Sequence, residues 1–177
     1  MMKILMTISL LFISLNLYAV DIEPKQPNCE VDNASLQAMP LIQLELTRDD
    51  GSAHIFPAKL ADNNTTRAAG FQRVCASTIE AMPILFVFDS EQIPGFHMNN
   101  VVAPIDIAFI KKGGEFESIQ AMQPYSVLEI KKKLWRPKKP VKYALEVHPG
   151  FFEKYGLNIN SKMRWERKKE QVHDTPS

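Results

Sequence analysis

Gly70-Phe71-Gln72-Arg73-Val74-Cys75, Pro83-Ile84-Leu85-Phe86-Val87-Phe88, Phe96-His97-Met98-Asn99-Asn100 and Pro104-Ile105-Asp106-Ile107-Ala108-Phe109-Ile110 follow one another between Gly70 and Ile110. A polar residue is set inside almost every apolar run. Apolar runs of this length read as strands covered on both faces. On that reading Asp106, flanked by isoleucines, lies inside the protein and needs a partner for its charge. Arg73 is the cation best suited to meet it, because a guanidinium can bond both carboxylate oxygens.

Outward from this segment the chain continues in short strands. Residues 41–46 and 53–60 are strand-like and flank the turn Asp49-Asp50-Gly51-Ser52, which predicts a hairpin. Asp62 or Asn63 is placed to cap a short helix ending near Gly70 or running on toward Arg73, and 77–81 reads as a further helical turn. Beyond Ile110, strands are predicted over 115–122, 127–130, 143–147 and 163–165, with 96–98 as another before it. Pro149-Gly150 opens a short helix over 151–155. Many short strands with little helix predict a mainly β fold: a single-domain β-sandwich or barrel-like fold with two or three short helices. That domain spans 41–166, between an extended, proline-bearing N-terminal arm at 20–40 and a disordered polar tail at 167–177.

Residues 1–19, MMKILMTISLLFISLNLYA, have a basic start at Lys3, an apolar stretch and a small residue at Ala19, the pattern of a secretory signal peptide. The apolar stretch is shorter than the roughly 20 residues a spanning helix needs, although an uncleaved anchor is the alternative. A periplasmic or secreted location is therefore expected, with no transmembrane segment after cleavage. Loss of Lys3 brings the 21 basic residues level with the 20 acidic ones, so bulk charge gives no reason to expect nucleic-acid binding. Cys29 and Cys75 are the two cysteines, and in an exported chain their pairing as a disulfide is the simplest reading, against two unrelated thiols.

In order along the chain, Arg67-Ala68-Ala69-Gly70-Phe71-Gln72-Arg73, Pro83 to Phe88, Phe96-His97-Met98-Asn99-Asn100-Val101, Pro104 to Ile110 and Tyr143-Ala144-Leu145-Glu146-Val147 resemble the domain of unknown function 192 family. The resemblance covers about residues 41 to 166. It implies a small, mainly β, commonly exported domain with no established biochemical activity. Phe71-Gln72 stand where that family usually has Leu-Met, His97 where it has tryptophan, and Asn99 and Val101 where it has lysine and threonine.

Arg73, His97, Asn100, Asp106 and Glu146 form the candidate ligand-binding set. Two arrangements fit them. Either Arg73 and Asp106 make an internal bridge with Asn100 holding the turn, or the group lines a pocket in which His97 and Glu146 face a small-molecule or envelope ligand. Glu146 and His148 are expected on one strand face, and His97, His148 and either Glu146 or Asp106 could ligate a metal if the two strands approach, but no HxH or HExxH spacing supports a metal site. No cofactor is expected, since nothing resembles a phosphate loop or a dinucleotide turn, and no serine lies in a nucleophile elbow.

The strongest charge run is Lys131, Lys132, Lys133, Trp135, Arg136, Lys138 and Lys139, broken only by Leu134 and Pro137. It reads as a solvated loop, or as a patch making peripheral contact with an anionic surface with the indole at the interface. Three functions follow: a non-enzymatic binding or structural module of the cell envelope; a hydrolase or lyase on an envelope polymer using His97 with Asp106 or Glu146; and an accessory protein docking through Lys131 to Lys139.

Overall fold

The computed structural model describes residues 28–31, 33–126 and 133–167. The predicted signal peptide, the strand predicted over 127–130 and the polar tail from residue 168 lie outside the described residues. Strands β1 (Leu41–Thr47), β2 (Ala53–Ala61), β3 (Ile84–Gln92), β4 (Ile105–Ile110), β5 (Phe116–Met122), β6 (Val141–Val147) and β7 (Lys162–Arg167) form one seven-stranded sheet. Helices α1 (Ala34–Gln37), α2 (Asn64–Ala69), α3 (Ala76–Ala81) and α4 (Phe151–Lys154) are all short.

The sheet order is β5-β4-β6-β3-β2-β1-β7. Only β2 and β3 pair in parallel. A parallel neighbour needs a crossover of a dozen or more residues, and α2 and α3 supply it. The predicted hairpin is β1–β2, closing at Thr47↔Ala53. The outer strands β5 and β7 approach at one end, where Glu115 bridges Lys162 and the Met163 N–H donates to the Gly114 carbonyl at 2.8 Å. Gly114 is required there: its φ is +91°, and a Cβ would stand 2.3 Å from the backbone carbonyl oxygen of Met163. The contact is a single bridge, so the sheet curls without closing into a barrel.

Both faces of the sheet are buried, as the apolar runs require. Leu44, Leu46, Leu85, Ile110, Leu145 and Met163 form one core with Phe151 and Phe152 of α4. Ile84, Phe86, Ile105, Ile107 and Phe109 form the other, beneath Leu36, Phe71, Val74 and Ile79 of the helical layer.

The arm differs from the expected extended segment. Asn33 caps α1 by accepting from the N–H groups of Ser35 and Leu36, which turns Leu36 and Met39 into the core. Cys29 and Cys75 form a disulfide, and the Glu30 N–H donates to the Arg73 carbonyl, so the arm is tied to the Gly70–Cys75 segment. Among the described residues there are four short helices where two or three were expected. Phe96 makes only a single bridge, to Trp135, rather than a strand over 96–98.

Candidate functional site

The centre of the site is set by alternation along β6. Tyr143, Leu145 and Val147 belong to the core shared with α4, so Ala144 and Glu146 face the helical layer. β6 is an interior strand, and Glu146 is paired with Ile84 of β3 and with Ile107 of β4. A carboxyl between two buried isoleucines is stripped of water. Glu146 is 4% exposed, and burial pushes its pKa up to about 8. Among the described residues, its Oε2 is the one buried side-chain polar atom with no hydrogen-bond partner.

Above Glu146 lies the end of α2. Asn63 and Thr66 form a reciprocal capping box that starts this helix, and Gly70 ends it with φ +48° and ψ −137°, a backbone that side-chain-bearing residues rarely adopt. A Cβ on Gly70 would stand 3.7 Å from Glu146 Oε2 and 3.5 Å from Phe86 Cζ. Glycine therefore adds no side chain to the space over the carboxyl, which Phe86 and Oε2 already border. That space is part of a cavity of about 430 Å³ lined by Arg67, Gly70, Phe86, Phe96, His97 and Glu146, among others.

Arg67 is held by its surroundings. Its Nη1 donates to the carbonyls of Asp62 at 2.9 Å and Val87 at 2.8 Å, its Nη2 donates to Asn64 Oδ1 at 2.8 Å, and Nη2 lies 3.6 Å from Asp89 Oδ2. His97 Nδ1 accepts from the Asn99 N–H at 3.4 Å, which leaves Nε2 as the ring donor. The cavity thus joins one unpartnered carboxyl, one committed guanidinium, one imidazole and the aromatic side chains of Phe86, Phe88 and Phe96.

Of the five expected site residues, the structure brings His97 and Glu146 together on this cavity. Asp106 is elsewhere. It is only half-buried, it faces the α4 side of β4, and its Oδ2 accepts from the Gly150 N–H at 2.8 Å. The expected Arg73–Asp106 bridge is absent because Arg73 is exposed on the turn after α2, with φ +58°. There its N–H donates to the Asn100 carbonyl at 2.7 Å, while Asn100, at φ +55°, donates from Nδ2 to Gln72 Oε1. Asn100 holds a turn, with Gln72 and Arg73 as its partners.

His148 does not share a face with Glu146 at a ligand site: it lies beyond the end of β6, with its ring against Phe151 at 5.5 Å. Among the described residues no three histidine, cysteine or acidic side chains are grouped to hold a metal ion.

In the basic run, Lys131 and Lys132 lie outside the described residues. Trp135 is 5% exposed, pairs with Phe96, and donates from Nε1 to the Ala121 carbonyl at 3.0 Å, so its indole is inside and not at an interface. Lys133 stands over that ring, Arg136 Nη1 donates to the Ile93 carbonyl at 3.5 Å, and the Lys138 N–H donates to Glu117 Oε1. Lys138 and Lys139 are exposed.

The sequence model of domain of unknown function 192, described as "Uncharacterized ACR", matches residues 45–165. The chain belongs to this family. No curated protein matches it. Among solved structures, a Sinorhizobium meliloti protein provisionally described as a transcription regulator superposes with a TM-score of 0.62 at 22% identity, covering 72% of this chain and 95% of that one. A protein of unknown function from Novosphingobium aromaticivorans gives 0.59 at 20% identity, covering 77% and 99%. At these identities the likeness is one of fold.

In this member of domain of unknown function 192, four of the five sequence motifs send residues to the cavity: Arg67 and Gly70, Phe86, Phe96 and His97, and Glu146. The fifth supplies Ile107 beside Glu146. Arg67 and Gly70 are the site residues that sequence reasoning passed over. The signal for them was the pairing of a cap at Asn63 with a glycine stop seven residues later, which places Arg67 on the last turn of a helix.

Proposed function

We propose that the chain is exported and serves in the cell envelope as a non-enzymatic binding module that takes a small ligand in the cavity beside Glu146. Glu146 carries this reading: a buried carboxyl with no partner at Oε2 lines a cavity of about 430 Å³. Leaving a buried polar group unsatisfied costs about 1–3 kcal/mol or more, and a ligand that bonds it recovers that cost. The volume falls within the roughly 300–1,000 Å³ of small-molecule sites, and its wall combines phenylalanines with polar groups such as Arg67, Gln92, His97 and Glu146.

The binding reading is tested by thermal-shift screening of wild type and Glu146→Leu against small sugars, amines, amino acids and short peptides. A compound class that raises the melting temperature of wild type and leaves Glu146→Leu unmoved is expected. If no compound shifts the wild type, the binding reading fails. Export rests on residues 1–19 and is tested by the N-terminus of protein recovered from the cell envelope, expected near Val20. Recovery from the cytoplasm with residues 1–19 intact would count against it.

A second reading is favoured by one observation, that His97 and Glu146 line the same cavity. Acid–base cleavage of an envelope polymer would then use Glu146 as the acid and His97 as its counterpart, without Asp106. Polymer cleavage by the wild type that His97→Ala abolishes while binding persists would support it.

A further inference from the structure

Resting on the binding reading, the class of ligand follows from which charges around Glu146 are already matched. Arg67 is the only guanidinium lining the cavity among the described residues. Its donors are directed to Asp62, Asn64 and Val87, and its charge is offset by Asp89. His97 comes from the segment after β3, and its Nδ1 is turned to its own backbone at Asn99. From β3 and β4 the strand neighbours of Glu146 are isoleucines. The protein thus gives the carboxyl no counter-charge.

Ala68, Ala69 and Gly70 line the cavity, but the Ala68 and Ala69 carbonyls already accept from Gln72, so the end of α2 offers no free acceptor there. Gly70, lacking a Cβ, puts no side chain between the cavity and the buried Oε2. Phe86, Phe88 and Phe96 offer an apolar surface to the remainder of such a molecule.

We infer that the cavity takes a primary ammonium on a small apolar or aromatic body, with the ammonium donating to Glu146 Oε2. A charge-assisted bond of this kind is roughly twice as strong as a neutral one, and it is stronger still away from water. Binding is coupled to a proton. With the carboxyl titrating at about 8 in the free protein, ammonium binding near neutral pH expels the proton of Glu146, and affinity rises with pH up to that value.

The test is calorimetry with three probes of one shape, benzylammonium, benzyl alcohol and benzoate, on wild type and Glu146→Gln at about pH 6 and about pH 7.5, where the amine stays protonated. Benzylammonium is expected to bind wild type most tightly, with an affinity gain of roughly tenfold or more at the higher pH and a proton released to buffer. Glu146→Gln should lose roughly tenfold or more in affinity, together with the pH dependence. The pH dependence is read on wild type alone, so the inference stays testable if the variant folds poorly. Equal or tighter binding of benzyl alcohol or benzoate overturns the ammonium assignment while leaving a binding cavity. Silence of all three probes overturns it too, and the library screen decides separately whether the cavity binds anything.

Discussion

At the scale of single residues, Glu146 sets how stability depends on pH. Unfolded, its carboxyl titrates near 4.5; folded, burial holds it at about 8. Between those values the folded chain keeps a proton that the unfolded chain has lost. Stability contributed by this group is full below about 4.5, falls as pH rises through the interval and levels off above about 8. By pH 7 the loss amounts to about 3 kcal/mol, from roughly 1.4 kcal/mol per unit. Urea midpoints of wild type should fall from about pH 5 to about pH 7, and Glu146→Gln should flatten that profile. A wild-type profile as flat as that of the variant would refute the buried, unpaired carboxyl. Gly70→Ala makes a complementary prediction. Its Cβ meets Phe86 at ordinary contact distance, so crowding is slight, but φ +48° with ψ −137° strains any side-chain-bearing residue. The expected cost is about 1–3 kcal/mol in urea unfolding, with ligand-induced thermal shifts reduced because the methyl occupies the space over Oε2.

At the scale of elements, the disulfide and α1 together hold the helical layer over the site. Cys29 and Cys75 are 46 residues apart, a loop whose closure contributes roughly 4 kcal/mol in the chain-entropy view. Replacing both by serine should lower the melting temperature and expose residues 28–39 to protease. The arm will not detach completely, because Leu36 and Met39 remain core residues and Thr78 still donates to the Val31 carbonyl. Protease resistance equal to wild type would show that the bridge adds nothing to arm docking. The same elements show what the sequence could and could not reveal. Apolar runs at 84–88 and 105–110 marked central strands because burial on both faces removes alternation, and Asn63 with Gly70 marked α2 because caps are local chemistry. The partner of Asp106 was not legible. An apolar run reveals that a strand is central but not that its second residue sits at the rim, where the N–H of Gly150, 44 residues away, meets the carboxylate. Glu146 was legible as a polar residue in a strand, yet its isolation depends on the register with Ile84 and Ile107, which no local pattern encodes.

At the scale of the whole molecule, the basic run and the cavity are parts of one wall. Trp135 pairs with Phe96 through reciprocal backbone bonds of 2.9 Å, stacks on Tyr125 and anchors its indole N–H on Ala121, so the chain around it is fastened between β5 and the Gly95–His97 segment. Phe96 in turn packs edge-on against Phe86, at 5.0 Å between ring centroids, and against Phe109. Removing the indole would undermine the aromatic wall from behind. Trp135→Ala should therefore cost about 3–5 kcal/mol of stability, as truncation of a buried tryptophan does, and should weaken ligand-induced thermal shifts as Phe96 loses its support. A membrane-docking tryptophan predicts the opposite pair of results, an unchanged melting temperature and lost sedimentation with anionic vesicles. Neutralising Lys133, Lys138 and Lys139 separates charge from packing, because all three are exposed and Lys133 sets its ammonium over the Trp135 ring. That variant should keep wild-type stability within about 1 kcal/mol. If its stability instead falls as far as that of Trp135→Ala, then the cations, and not the indole, fasten this wall.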